Sequence, residues 1–239
     1  MKSFLFTAIF LLAATAASAF DQSHSALSEI LKTYVDEKGM VDYQGLKKKR
    51  QPLDSYLKTT GAVSEKDFQK WTQSEQIAFL INVYNAETLQ LIIDNYPVTS
   101  IKKIGSLLSS PWKQKSVQLF GKTTTLDHVE HGILREKYSE ERIHFALVCA
   151  AVSCPPLRTG AFTGEQLDAQ LDDQARVFLN DSTKNRIEGD TLYLSAIFNW
   201  FEGDFTSGGK TLIEYVKPWM QGNPIKVKFN DYDWSLNQQ

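Results

Sequence analysis

Residues 75–96 read EQIAFLINVYNAETLQLIIDNY, and this stretch decides the fold. Apolar side chains recur at i, i+3 and i+4 but also fill most positions between, so the segment is apolar on nearly every side. The pattern predicts a helix from Ser74 to Asn95, closed by Pro97, which cannot continue it. A helix that is apolar all round belongs in the middle of a domain. Asn82 and Asn85 must then lie in or near the core, where each amide needs partners.

Upstream, Ser64-x-x-Asp67 resembles a capping box opening a short helix. A helix over 44–59, interrupted or begun late at Pro52, is expected before it. Residues 22–36 place Ala26, Leu27, Ile30, Leu31, Tyr34 and Val35 at helical spacing. Downstream, KQKSVQLFGKTTTL (113–126) reads as a hairpin around Gly121-Lys122. Asp127 as N-cap and Glu130 three residues on predict a capping box and a helix to Tyr138. RIHFALVC (142–149) is a continuous apolar run of strand length, expected as a central strand buried on both faces. A helix from the Thr163-x-x-Gln166 box to Leu179, a hairpin over 185–194, helices over 195–201 and 210–220 and a strand over 225–229 complete the reading. The fold class is α+β: one helix-rich domain with a small, mostly antiparallel sheet and a buried central helix.

Composition narrows the function. With 26 Lys+Arg against 28 Asp+Glu, the chain has no basic field to draw phosphates, so no nucleic-acid partner is expected. Two cysteines are too few for a disulfide scaffold or a four-thiolate zinc site. Lys2, the apolar run Phe4 to Ala14 and Ala17-Ser18-Ala19 have the form of a signal peptide over residues 1–19, leaving 20–239 as one domain. The mature chain is expected in the periplasm or secreted, without stable membrane insertion, where thiols meet an oxidising system.

Three of the four histidines and both cysteines fall within residues 128–154. A nucleophilic thiol needs a nearby imidazole and a third group to orient it. Cys149, at the end of the expected strand, is the candidate thiol, His131 the candidate base, and Glu130 or Asn85 the orienting group. Glu130 has a competing task in the capping box. Asn85, His144 and Cys154 are candidates for substrate contact, although a buried asparagine also serves by fixing packing. A Cys149–Cys154 disulfide, structural or redox-active, competes with the nucleophile, and so does an inert core thiol. His128, His131, His144 and the thiols match no familiar zinc spacing, so neither metal nor cofactor is expected. Asn199-Trp200-Phe201 with Asp204 and Phe205 forms either a pocket wall or core.

The stretches FLINVYNAETL (79–89), LDHVEHGILR (126–135), IHFALVCAAVSCPPLR (143–158), FNWFEGDF (198–205) and YDWSLN (232–237) resemble the DUF547 family, a domain of unknown function. The resemblance implies no assigned activity and no catalytic residues. In some eukaryotic members the domain shares a chain with glutaredoxin-like modules, which favours thiol chemistry. Three functions remain open: a thiol-dependent hydrolase or acyltransferase, a non-catalytic binding or scaffold module for a small-molecule or peptide ligand, and a thiol–disulfide switch.

Overall fold

The computed structural model describes residues 20–105 and 109–239; the expected signal peptide lies outside the described residues. Its first five helices are α1 (Ser25–Tyr34), α2 (Tyr43–Lys48), α3 (Gln51–Gly61), α4 (Glu65–Phe68) and α5 (Gln73–Asn95). α5 is the element around which the others gather. Thr72 and Glu75 form a reciprocal capping box at its start, which satisfies backbone donors that the first turn would otherwise leave open. At 23 residues it runs for about 34 Å, and it is buried on every side from Ile77 to Leu89. α2, α3, α7 (Leu167–Leu179) and a π-helical segment, His128–Leu134, pack against it.

The polar side chains of α5 have specific tasks. Asn82 accepts from the Phe162 amide at 2.9 Å and donates to the Phe162 carbonyl at 2.7 Å. Asn85 donates to Ala146 O and accepts from Val148 N–H, both at 2.9 Å. Each asparagine therefore stands in for a β-partner, tying an irregular segment to the central helix. Asn85→Ala removes both bonds and leaves a buried N–H and C=O without partners, at an expected cost of about 2 kcal/mol; denaturant unfolding measures it.

Glu87 is buried on the same helix, with one oxygen accepting from Gln118 N–H at 3.3 Å. Burial, reinforced by the Asp94 charge, pushes its carboxyl from the ordinary 4.5 up to about 7. The folded chain thus holds this proton more tightly than the unfolded chain. Stability from this group is full below pH 4.5 and declines as the pH rises through 7. Glu87→Gln is expected to be more stable than the parent at pH 8 and to lose that advantage at pH 4; melting curves at the two pH values test it.

The strands are few and short. β1 (Val117–Leu119) and β2 (Lys122–Thr124) form the expected antiparallel hairpin, and β3 (Arg186–Glu188), β4 (Thr191–Leu194) and β5 (Lys226–Phe229) form a sheet in which β3 and β4 are antiparallel and β4 and β5 parallel. Beside this sheet a second apolar cluster gathers Phe145, Phe178, Phe198 and Phe205 with Leu192 and Leu194. α6 (Arg135–Lys137), α8 (Ala196–Trp200), α9 (Glu202–Phe205) and α10 (Leu212–Val216) complete the chain. The helices over 195–201 and 210–220 are shorter than their patterns suggest.

Two expectations are corrected. The run 142–149 is buried as predicted but is not a strand: Glu141–Phe145 is a 3-10 turn, followed by irregular chain. Its backbone is satisfied by side chains, Phe145 O by Gln174 and Ala146 O and Val148 N by Asn85, so no neighbouring strand is required. An apolar run reports burial and leaves the backbone conformation open. The Asp127–Glu130 capping box is also absent. Asp127 is already helical and makes no side-chain cap, while Thr125 Oγ1 accepts from His128 N–H at 3.0 Å. The helix winds as a π-helix, and Glu130 is released from the capping task.

Candidate functional site: a dithiol in an aromatic pocket

Where the two apolar clusters meet, a pocket of about 230 Å³ opens. Tyr84 of α5 and Leu147 line it from one cluster, Ile197 and Phe201 from the other. The π-helix contributes Glu130 and His131, the 3-10 turn His144, and the loop after it Cys149 and Cys154. π-helical turns occur preferentially at functional sites. Five of the six residues singled out in the sequence therefore share one cavity. Asn85 does not line it, and both ends of its amide are held by the 146–148 segment.

The cysteine loop is held by the C-terminal segment. Val152 N–H donates to Ser235 O and Ser153 N–H to Asp233 O, while Ala151 and Leu236 form a β-bridge. This strap brings Tyr232 to the sulfurs. Between the cysteines, Ala150 has a φ of 58°, the left-handed region that costs a residue with a Cβ roughly 1–2 kcal/mol. Such strain persists only where the surroundings over-determine it.

Both cysteines are free thiols, with Sγ atoms 2.7 Å apart. The Cys149 amide N–H donates to Cys154 Sγ at 2.8 Å, and Tyr232 Oη lies 3.1 Å from Cys149 Sγ. The two sulfurs are not equivalent. Burial pushes both thiols up, but at Cys154 the Cys149 thiol, the Tyr232 hydroxyl and the Cys149 amide outweigh it and hold the group below its ordinary value. Cys149 has its backbone donor aimed at its neighbour; burial and then the Cys154 sulfur push it well above. The hydrogen bonds thus favour the anion at Cys154 over the anion at Cys149. Burial and the sulfur charges also raise the Tyr232 phenol well above 10, so its hydroxyl stays protonated and able to donate.

A second network lies beside the first. Asp204 of α9 accepts from His144 Nε2 at 2.7 Å and, bidentately, from Arg135 at 2.6 and 2.8 Å. Arg135 also donates to His131 Nδ1 at 2.9 Å. His144, only 3% exposed, stacks on Phe201 with ring centroids 4.0 Å apart. The hydrogen bonds from His144 and then Arg135 hold the Asp204 carboxyl far below the usual carboxylate range. Because arginine only donates, neutral His131 carries its hydrogen on Nε2; because a carboxylate only accepts, neutral His144 keeps its hydrogen on Nε2 and its lone pair on Nδ1.

Arg135 and Tyr232 were not singled out from the residue chemistry as site members, and Asp204 was read only as part of a group forming either a pocket wall or core. The Arg135–His131 contact spans i to i+4 on one helical stretch and could have been read. Asp204 and Tyr232 arrive from 60 or more residues away, and nothing local pairs Asp204 with His144 or Tyr232 with Cys149. Among the described residues, no group of three His, Cys, Asp or Glu side chains is arranged to hold a metal ion. No helix among them is long and apolar enough to cross a membrane.

These features define a helix-rich α+β domain with a thiol pair and a histidine–carboxylate pair in one aromatic pocket. Residues 68–179 match the family model described as "Protein of unknown function, DUF547", the family that the chain's motifs resemble. No curated protein and no solved structure matches the chain. The matched segment includes His131, Arg135, His144 and both cysteines, whereas Asp204, Phe201 and Tyr232 lie beyond it.

Proposed function

We propose that the pocket is the site of a thiol-dependent hydrolase or acyltransferase, with Cys154 as the nucleophile and His144, held by Asp204, as the proton carrier. One observation carries this reading: the Cys149 amide N–H is aimed at the Cys154 sulfur, and Cys154 lines the pocket. An acyl substrate would form a carbon–sulfur bond to Cys154 as the bond to its leaving group breaks. The proton lost by the thiol passes through His144 Nδ1 to the leaving group, and water or an amine then releases the acyl group by the reverse traffic. His131, with its hydrogen on Nε2, is suited to donate to the substrate carbonyl rather than to act as base. Relative to the sequence reading, the nucleophile moves from Cys149 to Cys154 and the base from His131 to His144. The signal-peptide-like pattern of residues 1–19 is what supports an exported, periplasmic setting.

An activated aryl ester tests the proposal. The expected result is an acyl adduct on Cys154 by peptide mass mapping, with His144→Gln slowing turnover about 100-fold. Acylation of lysines alone, at the rate of the unfolded chain, would overturn it.

The 2.7 Å separation of the sulfurs favours a second reading, a reversible disulfide couple. Exchange with an external disulfide would then remove two hydrogens from the chain and return both thiols on reduction. A chain whose mass is the same before and after mild oxidation would exclude it.

A further inference from the structure

The reaction proposed above leaves the substrate unspecified, but the rest of the pocket wall narrows it. Trp112, Trp200, Tyr232 and Trp234 form one continuous aromatic surface: Trp200 stacks on Trp234 at 5.7 Å, Trp112 meets Trp234 edge-on at 5.8 Å, and Tyr232 lies 4.6 Å from Trp234. Trp200 is 47% exposed, which leaves an indole face open at the mouth. Two carboxylates, Asp127 and Glu130, line the same cavity, and Glu130 is 9% exposed.

The charges are unbalanced in one direction. Arg135 is neutralised by Asp204 through two hydrogen bonds. Lys102 lies 4.7 Å over the Trp234 ring. Against it stand the carboxylates of Asp127 and Glu130. Lys102 and Arg135, the latter 4.9 Å over Phe201, show that these rings already accept cations on their faces.

We propose that this pocket binds a cationic group, an alkylammonium, between the aromatic wall and the Asp127–Glu130 carboxylates, so that the acyl substrate carries a positive charge close to its reacting carbon. The aromatic faces supply the attraction of a ring quadrupole for a cation, and the partly buried carboxylates supply charge that solvent screens only in part. An anionic substrate would meet like charge at both carboxylates. A neutral sugar would find the rings but no use for the carboxylates. The substrate class rests on the thiol reading; the binding preference itself does not require the thiol to react.

The test separates the two. The reduced full chain is titrated with choline and with its uncharged isostere 3,3-dimethylbutan-1-ol, followed by tryptophan fluorescence, since three of the five tryptophans line the pocket. Choline is expected to bind saturably and at least tenfold more tightly than the isostere, a difference of about 1.4 kcal/mol. Trp200→Ala and Glu130→Gln should each weaken choline several-fold and leave the isostere little changed, and Cys154→Ser should still bind choline. Equal affinity for cation and isostere, no saturable binding of choline, or tighter binding of methyl glucoside than of choline would overturn the proposal. Charge selectivity in a chain that no electrophile acylates would retain the cation site and reject the thiol reading.

Discussion

Cys154→Ser is expected to abolish rapid alkylation of the folded chain near neutral pH, lowering the rate with iodoacetamide by 100-fold or more. The reasoning rests on where the donors point. The Cys149 amide is committed to Cys154 Sγ at 2.8 Å, and the Cys149 thiol, pushed up by burial and by its neighbour, remains protonated. Serine at 154 removes the sulfur at which the hydrogen bonds outweigh burial and favour the anion, leaving a thiol that reacts at the rate of its small ionised fraction. The converse variant, Cys149→Ser, keeps the backbone N–H and offers a hydroxyl in place of the thiol, so Cys154 should retain a measurable fast reaction, slower than in the parent. Similar losses in both variants would mean that the pair reacts only as a unit; a loss confined to Cys149→Ser would reverse the assignment. Circular dichroism of each variant separates chemistry from unfolding.

Asp204→Ala is expected to cost about 3 kcal/mol, because one carboxylate carries three charge-assisted hydrogen bonds, to His144 and to both ends of the Arg135 fork. The cost stays at this level because Asp204 is 28% exposed and solvent shares the burden. For a chain of this size the change corresponds to a fall of about 6–10 °C in melting temperature. A pH signature identifies the cause. The folded carboxyl lies far below the ordinary range of about 3.9, so its contribution is fully present above that value and is lost as the pH falls toward the depressed one. Asp204→Asn should therefore be less stable than the parent at pH 6 and should lack the parent's steep decline between about pH 4 and 2. The same variant should slow ester turnover strongly, since an amide no longer anchors the His144 tautomer by charge. Unchanged turnover in a folded Asp204→Asn chain would remove His144 from the chemistry.

Sequence and structure agree most closely where local signals and burial point the same way. α5 was legible because its terminating proline and its all-round apolar character act within one segment; its Thr72–Glu75 capping box was not read from the sequence. The hairpins and the helices before α5 were legible for the same reason. The segment 142–149 was not, because Asn85 and Gln174 supply hydrogen bonds from distant helices that permit an irregular buried chain. At Asp127 the box pattern was present but the helix start was set by Thr125 two residues earlier. His131, His144, Cys149 and Cys154, clustered between residues 128 and 154, line one pocket, and the aromatic–acidic group at 199–205 supplies Trp200 and Phe201 to its wall. The division of labour inside the pocket was illegible. It depends on which sulfur receives one amide N–H and on an aspartate 60 residues from the histidine it holds. Asn85 reads in retrospect as a structural clamp, the alternative its burial suggested from the outset.

The most direct test of the account is the pH dependence of alkylation at each cysteine of the reduced, folded chain. Brief iodoacetamide pulses between pH 5 and 9, followed by peptide mass mapping, report the two sulfurs separately. The account predicts that Cys154 is modified first, with a midpoint well below the ordinary thiol value of about 8.5, while Cys149 is modified only at the alkaline end. Preferential modification of Cys149, or two thiols that stay inert until the chain is denatured, would contradict it.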